Sequence, residues 1–187
     1  MSDQRVFGIT GWKNSGKTTL VAALVAEFTS RGLQVSTVKH AHHDFEIDQE
    51  GRDSWKHRKA GAKETALVSS RRWALMHELK EEDEPSLDEM LDKLAPCDLV
   101  LVEGFKRSGH PKIETIRNAE SGRPKQAPVW QYNDSVVAIA ASDMDTNCSL
   151  RQFHLDSVPE IADFILDHLS ITTGGKSVGK VAQSNAQ

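Results

Sequence analysis

Apolar positions along the chain fall into short continuous runs, and between several of these runs their spacing changes to every third or fourth residue. "RVFGIT" (residues 5–10) is a β-branched and aromatic run that reads as a strand. It is followed by a glycine-containing loop and then "KTTLVAALVAEFTSRG", where Leu20, Ala23, Leu24 and Phe28 recur at helical spacing and Gly32 supplies a stop. "LQVSTVKH" (33–40) reads as a second strand, so strand, helix and strand form the right-handed crossover of a parallel sheet. The fold class is therefore α/β.

From residue 40 to 61 the pattern turns polar and charged, which predicts a functional loop leading into a short helix. "ETALVSS" and "RWALMHEL", separated at Arg71 and Arg72, predict two neighbouring strands. "SLDEMLDKLAP" predicts a helix with a capping box from Ser86 to Glu89 and an end at Pro96. The most apolar run, "CDLVLVEGF", predicts a buried strand, "RSGHPKIETIR" a loop and a strand, and "SVVAIAAS" a further buried strand. "AESGRPKQAPVWQYND" is rich in turn residues, and "VPEIADFILDHLS" (158–170) carries Ile161, Phe164, Ile165 and Leu169 on one helical face. One nucleotide-binding domain over residues 1–170 and a disordered, glycine-rich tail over 171–187 are expected.

Composition narrows the classes. The 187 residues suit one domain, and 27 acidic against 23 basic residues give a net charge of -4, which argues against a nucleic-acid binder working by phosphate neutralisation. Cys97 and Cys148 are far apart and lack a CxxC partner, so neither a disulfide framework nor a zinc knuckle is supported. No secretory pattern opens the sequence, and no apolar run approaches the ~20 residues of a membrane helix, so a soluble, cytoplasmic protein is expected.

The chemistry concentrates in "GWKNSGKTTL". Gly11, Trp12, Lys13, Asn14, Ser15, Gly16, Lys17 and Thr18 satisfy G-x-x-x-x-G-K-[ST], the phosphate-binding loop of P-loop NTPases, between a strand and a helix where the motif has mechanical meaning. Glycines let the backbone N–H groups converge on phosphate oxygens, and the helix adds its positive N-terminal dipole. Lys17 is expected to reach the outer phosphates and the Thr18 hydroxyl to ligate Mg²⁺. A carboxylate for the same metal is expected from the end of an adjacent buried strand. Glu103 ends "DLVLVE" at the ligand-binding edge, whereas Asp98 stands ~16 Å upstream at strand rise and reads as a cap or surface residue. Asp44, in "KHAHHDFEID", is the candidate for orienting water or metal. His40, His42 and His43 fit phosphate or substrate hydrogen bonding better than zinc, because residues so close rarely all face one ion and no cysteine stands nearby.

"GWKNSGKTTL", "KHAHHDFEIDQEGRDSWKHRKAGA", "RWALM", "LVEGFK" and "IAASD" together resemble the molybdopterin-guanine dinucleotide biosynthesis adapter family, MobB, over about residues 5–170. The resemblance implies a P-loop NTPase three-layer fold with a mostly parallel central sheet, GTP binding with weak hydrolysis, and a homodimer. It also implies a partner, the molybdenum cofactor guanylyltransferase that joins GMP to molybdopterin. Carried over, Gly11 to Thr19 would hold phosphate, Thr18 and Glu103 would serve Mg²⁺, and Asp44 would sit in a switch-like segment. The chain departs from the signature-lysine variant of the motif, which places lysine directly after the first glycine. Here Trp12 stands there and Lys13 follows.

An NKxD motif for guanine is absent. Asp143, after the strand "SVVAIAAS", is either the acceptor for guanine N1 and N2 or an ordinary loop-capping aspartate. Two other functions are compatible with the same loop. A stand-alone kinase would use Arg52, Lys56, Arg58, Lys59 and Lys63 for an anionic acceptor, unless these cations form a solvated helix face. A metallochaperone GTPase would use some of the eight histidines.

Overall fold

The computed structural model describes residues 5–41, 46–117, 126–143 and 147–172. The chain divides into two compact units, one formed by the described residues up to Lys39 and from Ala95 onward, the other by His40–Leu94.

The first unit is built on a six-stranded sheet of order β2-β5-β1-β6-β7-β8, in which every pairing is parallel. Its strands are β1 (Val6–Thr10), β2 (Val35–Lys39), β5 (Leu99–Glu103), β6 (Lys112–Ile116), β7 (Val136–Ala141) and β8 (Arg151–His154). Helix α1 (Lys17–Ser30) links β1 to β2, and α4 (Val158–His168) follows β8. Alternation along the strands sends Phe7, Ile9, Leu99, Leu101, Ala138, Ala140 and Phe153 into one cluster with Leu20, Leu24 and Phe28 of α1 and Ile161 and Ile165 of α4. Each of the leucine, isoleucine and phenylalanine side chains, withdrawn fully from water, contributes about 1.5–3 kcal/mol before the entropy of ordering is counted. Strand β5 is buried at every position, which is why its sequence is a continuous apolar run.

Sequence spacing anticipated these elements except β8. "RQFH" has only Phe153 buried and forms the sheet's edge, so its apolar signal is too short to announce a strand.

The opposite face of the sheet is apolar at Val100, Val102 and Ile139 but carries buried charge on β6. Lys112 and Glu114, two residues apart on β6, are both buried. Gly8 is required beside Lys112, since a Cβ there would meet His110 Nε2 at 2.5 Å and Lys112 Cβ at 2.8 Å.

The second unit contains α2 (Asp53–Lys59), the antiparallel pair β3 (Glu64–Val68) and β4 (Trp73–His77), and α3 (Leu87–Leu91). The expected neighbouring strands thus form a separate two-stranded sheet. The expected capping box is present: Ser86 Oγ accepts from the Glu89 N–H, and the Glu89 carboxylate accepts from the Ser86 N–H. Helix α3 is shorter than its pattern predicts, ending before Asp92. Arg58 centres the unit, donating to Asp48 at 2.6 Å, to Glu78 at 2.8 Å and to Glu46. These bonds hold the Asp48 carboxyl below its ordinary pKa and raise that of Arg58.

Candidate phosphate and metal site

Strand β1 ends at Thr10, and α1 starts at Lys17, so the glycine-bounded loop lies at the carboxyl edge of the sheet. Its path depends on backbone that side chains oppose. Gly11 has φ 138°, and a Cβ on it would lie 2.5 Å from the Thr115 carbonyl oxygen and 2.7 Å from Ser15 Oγ. Asn14 and Gly16 also take positive φ, 64° and 97°. Ser15 is buried, and its Oγ lies 2.7 Å from Thr115 Oγ1, which in turn donates to the Thr10 carbonyl at 3.1 Å. The loop is therefore tied to β6 by a hydroxyl pair. Lys13 and Asn14 are exposed at its crown, and Thr18 and Thr19 are exposed on the first helical turn. No side chain caps α1, and its first turn carries no acidic residue, so the positive end of a 14-residue helix faces the loop.

The side chains expected at the site converge. Thr18 Oγ1 donates to Glu103 Oε1 at 2.8 Å, and Glu103, the last residue of β5, is only 8% exposed. The parallel register brings this about, pairing Ile9 with Glu103 across β1 and β5. Lys17 Nζ donates to the Trp12 carbonyl at 2.7 Å, across the loop. Burial holds its pKa below the ordinary lysine value; Glu103 opposes this, and repulsion from Lys106 and Lys39 adds to it. The indole N–H of Trp12 donates to the Ala127 carbonyl at 3.0 Å.

Two cations were missed by sequence reasoning. Lys39, the last residue of β2, places Nζ 3.3 Å from Glu103 Oε1 and 3.4 Å from Thr18 Oγ1. Lys106, three residues after Glu103, places Nζ 3.7 Å from the Trp12 ring centroid. The available signal was position, since Lys39 ends β2 and Lys106 follows β5, the two strands on the same side of β1.

Other candidates fall elsewhere. Asp98 Oδ2 accepts from the Gln34 N–H at 2.7 Å, just before the start of β2. Asp143 is exposed beyond β7, two strands from β1, and accepts from Ser142 Oγ at 3.2 Å. Asp44, His42 and His43 lie outside the described residues, as does the predicted tail from residue 173 onward. His40 Nε2 lies 2.6 Å from Glu84 Oε1.

The cations weighed for an acceptor site have partners inside their own unit. Besides Arg58, Lys63 pairs with Glu82 at 2.5 Å, Lys56 with Asp53 at 3.6 Å, and Lys59 stands over the Trp55 ring at 5.6 Å. Among the described residues no group of three or more histidine, cysteine or acidic side chains is arranged to hold a metal ion.

Thr18 hydroxyl and Glu103 carboxylate are hard oxygen donors of the kind Mg²⁺ takes, and converging loop N–H groups, helix terminus and lysines suit a polyphosphate. The residues present thus fit a nucleotide with its magnesium ion.

Comparison with known proteins agrees with this architecture. The family model described as molybdopterin guanine dinucleotide synthesis protein B matches residues 6–143. The molybdopterin-guanine dinucleotide biosynthesis adapter protein of Escherichia coli is 34% identical over 171 residues, covering 90% of this chain and 95% of that protein. The adapter protein of Haemophilus influenzae is 37% identical over 162 residues, 86% of each chain. A crystal structure of molybdopterin-guanine biosynthesis protein B superimposes with a TM-score of 0.68 at 27% identity, covering 88% of this chain and 99% of that one. A MobB homologue from Bacillus stearothermophilus does so with 0.65 at 27% identity, covering 89% and 99%.

Proposed function

The chain belongs to the molybdopterin guanine dinucleotide synthesis protein B family, and from that premise we propose that it is a GTP- and Mg²⁺-binding adapter. In this reading it assists the guanylyltransferase that attaches GMP to molybdopterin in the cytoplasm, and hydrolyses GTP only weakly. The observation that carries the nucleotide part is the Thr18 Oγ1 to Glu103 Oε1 contact at 2.8 Å beside a glycine-bounded loop and Lys17.

Lys17 and the loop N–H groups would bind the phosphates, and Thr18 and Glu103 would hold the metal. Held there, Mg²⁺ would neutralise the charge of the outer phosphates. Asp44 is the residue we assign to orient water, and Asp143 the one we assign to read guanine by accepting from N1 and N2. An adenine there would leave that carboxylate unpaired. A weak hydrolase suits an adapter, which must hold the nucleotide longer than it consumes it.

The homodimer part rests on the β3–β4 hairpin, where Val68 is 81% exposed, Trp73 72% and Leu75 50%. An apolar patch of this kind marks an association surface.

Titration calorimetry with GTP, GDP and ATP tests the nucleotide reading. Mg²⁺-dependent GTP binding that Lys17→Ala abolishes is expected, and unchanged binding in that variant would remove the phosphate site. Asp143→Ala should lose the preference for GTP over ATP, and Asp44→Asn should slow phosphate release without weakening binding. A monomeric mass in solution would refute the dimer.

A further inference from the structure

Trp12 occupies the position directly after the first glycine, and Lys106 lies against it. We propose that Lys106, seated on the Trp12 ring, is a specificity-determining cation that reads the terminal phosphate of the bound nucleotide and so distinguishes triphosphate from diphosphate. The inference rests on the nucleotide site described above and deepens it.

The chain spends backbone strain to put Lys106 there. After Glu103 the backbone takes two successive positive φ values, 97° at Gly104 and 45° at Phe105, the second in a bulky aromatic residue that resists that region. The turn is held by the Ser108 N–H donating to the Phe105 carbonyl at 3.1 Å and by Asn133 Nδ2 donating to the Lys106 carbonyl at 2.5 Å. Trp12 is fixed independently by its indole bond to Ala127 at 3.0 Å. Ring and ammonium are thus positioned from different parts of the chain and meet at 3.7 Å.

The charge pattern points to an anion. Among the described residues no carboxylate lies within ion-pair distance of Lys106 or Lys17, which Glu114 and Glu103 respectively attract only from beyond that distance; the ion pair at the site joins Lys39 to Glu103. Lys106 and Lys17 are close enough for repulsion to bear on Lys17, and partial burial holds the pKa of Lys106 below its ordinary value. A cation on an aromatic face keeps its N–H donors for another partner. Lys106 also leaves the same strand end as Glu103, the metal carboxylate. That is the side of the outer phosphates, whereas Asp143 lies beyond β6 on the other side of β1.

The test compares GTP and GDP by calorimetry, with Mg²⁺, in the wild-type chain and in Lys106→Met, Lys106→Arg and Trp12→Leu. One charge-assisted hydrogen bond corresponds to roughly ten- to hundredfold in affinity. Lys106→Met should therefore weaken GTP roughly tenfold or more and GDP by less than about threefold. Lys106→Arg should keep most of the discrimination, and Trp12→Leu should lose part of it, which covers the case in which Lys106→Met fails to fold. Equal losses for GTP and GDP, or a GTP-to-GDP ratio unchanged from wild type, would overturn the role of Lys106 while leaving the nucleotide site standing. A wild-type chain that binds neither nucleotide would overturn both.

Discussion

Replacing Lys112 by methionine should erase an alkaline pH dependence of stability that the wild-type fold carries. Lys112 is 0% exposed, and its ammonium donates to the carbonyls of Ser108 at 2.5 Å and His110 at 2.9 Å. Burial pushes its pKa from 10.5 down to about 8. Between those values the unfolded chain still holds a proton that the folded protein has released. Stability therefore rises with pH across the window and is lost again as pH falls through about 8. At about 1.4 kcal/mol per pH unit the whole span is worth roughly 3 kcal/mol. Methionine removes the buried charge but leaves two carbonyls without a donor, at about 1–3 kcal/mol each. The two effects oppose one another near neutrality, so the decisive quantity is the slope and not the level. Urea unfolding at pH values from about 7 to about 10 should show wild-type stability rising by roughly 2–3 kcal/mol relative to Lys112→Met. Parallel curves for the two proteins would refute the claim that Lys112 is held as a desolvated cation.

Gly11→Ala would set a Cβ 2.5 Å from the Thr115 carbonyl oxygen at a backbone φ of 138°. A loss of about 2–4 kcal/mol, seen as a fall of roughly 5–15 °C in melting temperature, should accompany loss of nucleotide binding. Glu103→Gln keeps an oxygen for the Thr18 hydroxyl but removes the charge. The Mg²⁺-dependent part of GTP affinity should fall roughly tenfold or more in calorimetry, with affinity in chelator little changed.

The candidate phosphate loop was legible because all its parts are contiguous: strand, glycines, lysine and threonine lie within "RVFGITGWKNSGKTT". Glu103 was legible for a related reason, since a continuous apolar run ending in one carboxylate predicts both a buried strand and the edge on which its last residue stands. Lys39 and Lys106 carried no such signal. Lysines at strand ends are common surface residues, and only the side-by-side pairing of β2, β5 and β1 turns these two toward one loop. Thr115 was invisible for the same reason: it meets Ser15 across 100 residues of chain through the pairing of β1 with β6. The five cations around α2 look like an anion site in the sequence, where the carboxylate partners of three of them, Lys56, Arg58 and Lys63, cannot be seen. Asp48, Glu78 and Glu82 reach Arg58 and Lys63 only in the folded unit.

By itself, the sequence determined the α/β class, the glycine-bounded loop between β1 and α1, the carboxylate that meets Thr18 and the family to which the chain belongs. These rest on local spacing, which governs backbone conformation and the edge on which a strand ends. Only the tertiary structure decided which distant side chains share that edge. It turned Lys39 and Lys106 toward the loop, buried Lys112 and Glu114 on the far face, and enlisted Thr115 to hold Ser15. Those choices depend on strand order and register, which arise from the packing of the whole sheet against α1 and α4 and leave no mark on any single stretch of residues.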